Sequence, residues 1–186
     1  MGRRSIANWT SIARRIRVPL GFALAVAFIW LARPTGESLA IGMSIAACGL
    51  VLRGMASGYL RKNEQLATAG PYRYTRNPLY LGSIFLAAGF AVAGRSWVFA
   101  VLAVALLLAI YVPVIRSEEV FLRDRFPEFS SYAENVPALW PRLGRGARGD
   151  GSFSWQLYLQ HREYNALAGF LALFVVLVIK LVWHCD

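Results

Sequence analysis

Two short stretches of this chain collect the side chains that could do chemistry. The first runs Gln65-Leu-Ala-Thr-Ala-Gly-Pro-Tyr-Arg-Tyr-Thr-Arg-Asn-Pro-Leu-Tyr-Leu-Gly82 and crowds Tyr72, Arg73, Tyr74, Arg76 and Tyr80 together. The second starts at Arg116-Ser-Glu118-Glu119 and runs through Phe126 and Tyr132 to Val136-Pro137 and Trp140-Pro141. Tyrosines collect at membrane–water interfaces, which accounts for part of the first cluster. Adjacent glutamates at the end of an apolar helix are costly unless they meet cations or water, so Glu118 and Glu119 call for such partners. Gly70-Pro71 reads as a turn. Asn77-Pro78 reads as a helix start, with Asn at the cap and Pro at the first helical position, where its missing N–H costs nothing.

Other chemistries find no support. His161 and His184 have no partners at metal-ligand spacing, so no metal site is expected. Cys48 and Cys185 make no disulfide framework. Gly144-Arg-Gly146-Ala-Arg-Gly149 spells the dinucleotide fingerprint, but that motif needs a strand before it and a helix after it. Here it lies in an Arg/Gly-rich stretch preceded by prolines, and a flexible linker is the better reading.

The elements that must position the two stretches are apolar. Of 186 residues, 57% are hydrophobic, more than a domain of this size could bury in its own interior. Bilayer is the solvent that remains. Five apolar stretches stand out, roughly Val18–Ala32, Leu39–Leu60, Pro78–Gly94, Trp97–Ile115 and Ala166–Trp183. A span needs about 20 residues, so the first and third must borrow from their flanks. Gly94-Arg95-Ser96 joins the third and fourth as a tight hairpin. The sequence thus predicts an all-α, polytopic integral membrane protein with about five transmembrane helices.

The net charge of +10 could suggest nucleic acid, but its placement argues for topology. Sixteen of the 20 Lys and Arg residues fall before the first apolar stretch, after the second, or between the fourth and fifth. Cytoplasmic loops carry that bias, so the N-terminus and both chemical stretches are expected on the cytoplasmic side. The partners implied are the bilayer and its anionic headgroups, with no nucleic acid. Residues 1–186 are expected to form one domain, with a motif core at 61–141, an interfacial segment at 142–165 and a last transmembrane helix at 166–183. Trp155, Tyr158 and Leu159 lie at helical spacing within that interfacial segment. Gly54, Gly58, Gly82 and Gly89 offer small faces for close helix packing. Arg53, in the inner half of the second span, is expected to snorkel to the headgroups.

Together the two stretches resemble the isoprenylcysteine carboxyl methyltransferase family and its relatives among phospholipid N-methyltransferases. That family carries leucine, G-x-Y and R-H-P-x-Y in one segment; after a membrane hairpin it carries E-E, an aromatic, tyrosines and a Pro-rich close. This chain offers Leu66, Gly70-Pro71-Tyr72, Arg76-Asn77-Pro78-Leu79-Tyr80, Glu118-Glu119, Phe126 and Tyr132. The resemblance covers roughly Arg61 to Pro141.

It implies a cytoplasmic pocket for S-adenosylmethionine, capped by the C-terminal segment, and a lipid or prenylated acceptor arriving from the bilayer. Its cofactor contacts fall on Glu64, Gln65, Leu66, Ala67, Tyr72, Asn77, Pro78, Leu79, Tyr80 and Glu118. Glu118 would pair the methionine ammonium, the Glu64–Ala67 turn would hold the adenosine end, and Tyr72 or Tyr80 would face the sulfonium. Arg116 and Glu119 are the catalytic candidates, one as the cation nearest a carboxylate acceptor, the other as proton acceptor for an ammonium. There are two departures. The family's His is Asn77 here, and Val114 replaces the arginine that lies four residues before the first glutamate. Arg116 would need Pro113 to kink or unwind the helix to reach that place. The alternatives are a phospholipid or amine N-methyltransferase, an NADPH-dependent enzyme like the membrane sterol reductases, and a non-enzymatic membrane adaptor.

Overall fold

The computed structural model describes residues 19–62, 64–142 and 149–183, and all regular structure among them is helical. In chain order the elements are α1 (Pro19–Leu31), α2 (Gly36–Tyr59), a 3₁₀ turn (Gly70–Arg73), α3 (Pro78–Ala93), α4 (Trp97–Arg125), α5 (Phe129–Asn135), α6 (Trp155–Gln160) and α7 (Tyr164–Trp183). Helices α2, α4 and α7 are long and apolar enough to cross a membrane, while α1 and α3 are apolar but shorter. Their outward faces carry large apolar side chains such as Ile41 and Val51 on α2, Leu108 and Val112 on α4, and Phe174 and Val175 on α7. Helices apolar all round need lipid or protein on every side, and here lipid takes the outer faces. The chain is an integral membrane protein.

Contacts divide the chain into two compact units. One takes in the chain as far as Ala46, Ala87–Glu119 and the chain from Phe170; the other comprises Ala47–Leu86 and Val120–Gly169.

The first unit is built around Phe28, whose ring packs 4.5 Å from that of Phe99 and 5.7 Å from that of Phe90. Gly94 is covered by the Phe28 ring, so the α3–α4 hairpin closes directly on α1. The predicted three-residue link is present. Arg95 takes a left-handed backbone (φ 49°), Ser96 Oγ accepts from Phe99 N at 3.2 Å to cap α4, and the Gly94 carbonyl accepts from Arg33 N at 2.8 Å. Lys180, in the last turn of α7, donates to the carbonyls of Ile29 and Ala32 at the end of α1. A cation at a helix C-terminus satisfies orphan carbonyls and opposes the dipole. At this end Trp30, Trp97 and Trp183 are exposed, where an aromatic belt belongs. Gly42 of α2 lies on the backbone of Gly89 and Ala93 of α3, and Gly89 lies in turn on Ala46, leaving no room for a side chain at either glycine.

In the second unit the same two helices touch seven residues later in α2 and seven earlier in α3, at Gly49 and Gly82. Gly82 and Gly89 therefore pack as expected; Gly42 and Gly49 complete the seam from α2. Gly58 instead receives the ring of Phe153, and Gly54 meets Tyr158 at ordinary contact distance.

Pro113 does not unwind its helix, and one expectation, about Arg53, is corrected. Helix α4 runs from Trp97 to Arg125, ten residues beyond the expected end of the span. One missing N–H does not break a helix this long, because membrane helices recover the freed group through their surroundings. Arg53 does not snorkel. It turns inward and is held by a partner 110 residues away, described below.

Candidate functional site

The segment from Gly70 to Asn77 is fixed one group at a time. Gly70 adopts φ +57° beneath the Tyr59 ring, a conformation and a closeness that only glycine permits. Pro71 opens the 3₁₀ turn and buries Tyr72. The Tyr72 carbonyl accepts the Tyr132 hydroxyl at 2.7 Å. Thr75, fully buried, donates its hydroxyl to the Leu139 carbonyl at 2.9 Å, and Asn77 donates its amide to the Ala138 carbonyl at 2.8 Å. Backbone bonds from Arg76 N to Pro137 O (2.9 Å) and Arg142 N to Tyr74 O (3.1 Å) continue the lacing. The Arg76 guanidinium lies 5.8 Å over the Phe129 ring, a cation–π distance.

These bonds dock the Pro-rich close of the second stretch onto the first. Beneath them α5 buries Phe129, Tyr132 and Val136 against Leu66, Leu122 and Phe126. Leu66, Phe126 and Tyr132 of the family pattern thus share one small core. Burial pushes the Tyr132 phenol well above the ordinary tyrosine range, with Arg76 pulling weakly the other way. Thr75 escaped the sequence reading, because a threonine between Tyr74 and Arg76 carries no signal until its carbonyl partners are known.

Gln65, Leu66 and Ala67 line a cleft of about 240 Å³. Tyr59 and Leu157 add aromatic and aliphatic wall, while Arg61, Thr68, Asp150 and Ser152 contribute polar groups. Asp150, Gly151 and Ser152 belong to the same lining as Gln65–Ala69. Gly149 lies on the Thr68 backbone and Gly151 on Ala69, too close for any side chain. Ser154 N then bonds the Gly58 carbonyl at 2.9 Å, and Ser154 Oγ caps α6 through Leu157 N. Residues 144–148 of the fingerprint-like run lie outside the described residues. Glu64 is exposed and does not line the cleft.

Asn77, Pro78, Leu79 and Tyr80 form the entry to α3, with Pro78 fully buried and the other three half-buried. Arg53 braces this entry. Its Nη1 donates to Leu79 O at 3.3 Å and to Ser83 Oγ, while Nε and Nη2 make a two-point pair with Glu163 at 3.1 and 2.7 Å. Arg116, Glu118 and Glu119 belong to the other unit, on the last turns of α4 before Val120. The two glutamates are half-buried and Arg116 is exposed. Among the described residues no three His, Cys, Asp or Glu side chains are grouped to hold a metal ion.

The phospholipid methyltransferase family model matches residues 17–128, more than half of the chain, so the chain belongs to that family. It is also similar to two bacterial resistance proteins. It is 37% identical over 142 residues to the cobalt-zinc-cadmium resistance protein CzcN of Cupriavidus metallidurans, a match covering 73% of this chain and 62% of that protein. It is 36% identical over 96 residues to the nickel-cobalt-cadmium resistance protein NccN of Alcaligenes xylosoxydans xylosoxydans, covering 52% of this chain and 42% of that protein. The chain thus spans less than two thirds of either relative. No solved structure matches it.

Proposed function

We propose, for a member of a lipid methyltransferase family, that this chain transfers a methyl group from S-adenosylmethionine to a lipid-like acceptor in the bilayer. One observation carries the reading: the Gln65–Ala67 turn, expected to hold the adenosine end, borders a polar cleft walled by the C-terminal segment. The lining fits a nucleoside, with the Tyr59 ring and the aliphatic Leu66 and Leu157 for a base and hydrogen-bonding groups for a sugar.

S-adenosylmethionine brings a methyl already activated by positive sulfur, so the chain's task is to bind, orient and exclude water. Gln65–Ala67 would hold the adenosine end, Glu118 the ammonium, and Tyr72, Asn77, Pro78, Leu79 and Tyr80 the wall nearest the sulfur. The laced Tyr72–Asn77 segment supports that assignment, since every backbone group it fixes is one fewer to order on binding. Glu119 would accept the proton of an ammonium acceptor, and Arg116 would face a carboxylate acceptor. An unbroken α4 leaves Arg116 about 200° around the helix from Glu118, which favours an amine acceptor over a carboxylate. The site would lie at the Arg-rich, cytoplasmic face. Similarity to two proteins named for metal resistance suggests that the methylated product matters under cobalt or cadmium stress; disruption of the gene should then raise sensitivity to those ions.

Titration of the purified protein with S-adenosylhomocysteine tests the reading. Binding is expected for the wild type, weakened about 10- to 100-fold in Glu118→Gln, the scale of one lost charge-assisted bond. Binding of NADPH in place of S-adenosylhomocysteine would overturn it.

A further inference from the structure

Asp150 sits between two glycines that lie against the Thr68–Ala69 backbone. A Cβ at Gly149 would fall 2.3 Å from Thr68 Oγ1 and 2.5 Å from the Thr68 carbonyl carbon. A Cβ at Gly151 would fall 2.8 Å from the Ala69 methyl. Glycines on both sides thus let the backbone lie flat on Thr68–Ala69, and three residues later the Ser154 N–H clips the segment to the end of α2. The residue between the glycines is held at the mouth of the cleft with its side chain exposed. On a chain of net charge +10, Asp150 makes no ion pair or hydrogen bond among the described residues. The arginine beside it in the lining, Arg61, is exposed and does not reach it.

An ionised carboxylate is acceptor-only, with two oxygens side by side. Its matching ligand group is a pair of adjacent donors. On a nucleoside that pair is the ribose 2′,3′-diol, and a carboxylate on a ribose hydroxyl is a recurring solution in dinucleotide sites. The other polar groups of the lining, on Arg61, Gln65, Thr68 and Ser152, all carry donors; Asp150 alone supplies only acceptors. The apolar wall of Tyr59, Leu66 and Leu157 leaves the base a place within the same cleft.

We infer that Asp150 is a binding residue of this cleft and grips the ribose diol of an adenine nucleoside. The inference rests on the methyltransferase reading and adds to it a residue outside the family-like stretches.

The test is calorimetric binding to the full-length protein in nanodiscs, with S-adenosylhomocysteine, 5′-methylthioadenosine and 2′,3′-dideoxyadenosine as probes. Methylthioadenosine keeps the diol but lacks the amino-acid tail; the dideoxy nucleoside lacks the diol. Asp150→Asn should raise Kd about tenfold for the first two probes and leave the third unchanged. A loss for S-adenosylhomocysteine alone would mean that Asp150 holds the ammonium, overturning the inference while sparing the methyltransferase reading. Equal affinities in wild type and variant would overturn it in the same way. A wild type that binds no probe would sink both. Asp150→Glu, with thermal unfolding checked alongside, serves as the second variant; it should retain part of the diol preference.

Discussion

The Arg53–Glu163 pair makes a quantitative test of how this fold is held. Both groups are largely withdrawn from water, with 21% of the Arg53 side chain exposed and 11% of that of Glu163. Both carboxylate oxygens are engaged by the guanidinium, and its remaining reach goes to Leu79 O and Ser83 Oγ. Taking such a pair out of water costs several kcal/mol per ion, and their attraction repays that only while both are present. Removing one partner leaves the other uncompensated, at a cost of about 3–5 kcal/mol for a fully buried pair. One fifth exposure of Arg53 places the expectation near the lower bound, about 3 kcal/mol for Arg53→Met or Glu163→Leu alone. The double variant Arg53→Met/Glu163→Leu removes both charges and should lie within about 1 kcal/mol of wild type. The cycle therefore predicts a coupling energy of about 5–7 kcal/mol, read by reversible denaturant titration in mixed micelles. Additive single losses, or single losses below about 1 kcal/mol, would refute the claim that this pair is a desolvated unit.

Further expectations follow from individual contacts. Tyr132→Phe keeps the ring against Phe129 but leaves the buried Tyr72 carbonyl without its 2.7 Å donor; it should cost about 1–3 kcal/mol in the same titration. Because burial raises the Tyr132 pKa, the phenol stays neutral in the fold after unfolded chains begin to ionise. Wild-type stability should therefore be level below about pH 10 and fall as pH rises above it. Tyr132→Phe should lack that component, which parallel unfolding curves at pH 8 and pH 11 would reveal. Gly89→Leu should be among the most damaging changes to the helix seam, since even a Cβ would sit 2.5 Å from Ala46 N and Gly42 O; loss of more than about 3 kcal/mol or failure to accumulate is expected. Lys180→Met should strip two carbonyls at the end of α1 of a charged donor, and faster amide exchange at that end of α1 should register it.

What the sequence made legible was whatever local pattern encodes. The apolar runs of α2, α4 and α7 mark themselves by length, and Gly94-Arg95-Ser96 is too short to be anything but a turn between two helices. Leu66, Tyr72, Phe126 and Tyr132 were found because their spacing matches a family, and the shared core beneath α5 gives that spacing a packing reason. Long-range pairing was invisible. Nothing near Arg53 distinguishes an arginine that snorkels from one that meets Glu163 110 residues later. Asn77 reads locally as a cap, yet its amide reaches a carbonyl 61 residues on. Pro113 is locally a helix breaker, yet α4 continues through it to Arg125, which only the surroundings of the helix decide. Gly149 reads as linker composition, and only the position of Thr68 shows why a side chain is excluded there.

The central claim is methyl transfer onto a membrane acceptor, and one incubation addresses it directly. Purified protein in nanodiscs would be given methyl-labelled S-adenosylmethionine together with a panel of amino-phospholipids and prenylcysteines. Label is expected in the organic extract of at least one acceptor, reduced in Glu118→Gln at subsaturating S-adenosylmethionine, with amines preferred over carboxylates. Label that stays wholly in the aqueous phase across the panel, with intact protein that binds no S-adenosylhomocysteine, would contradict it.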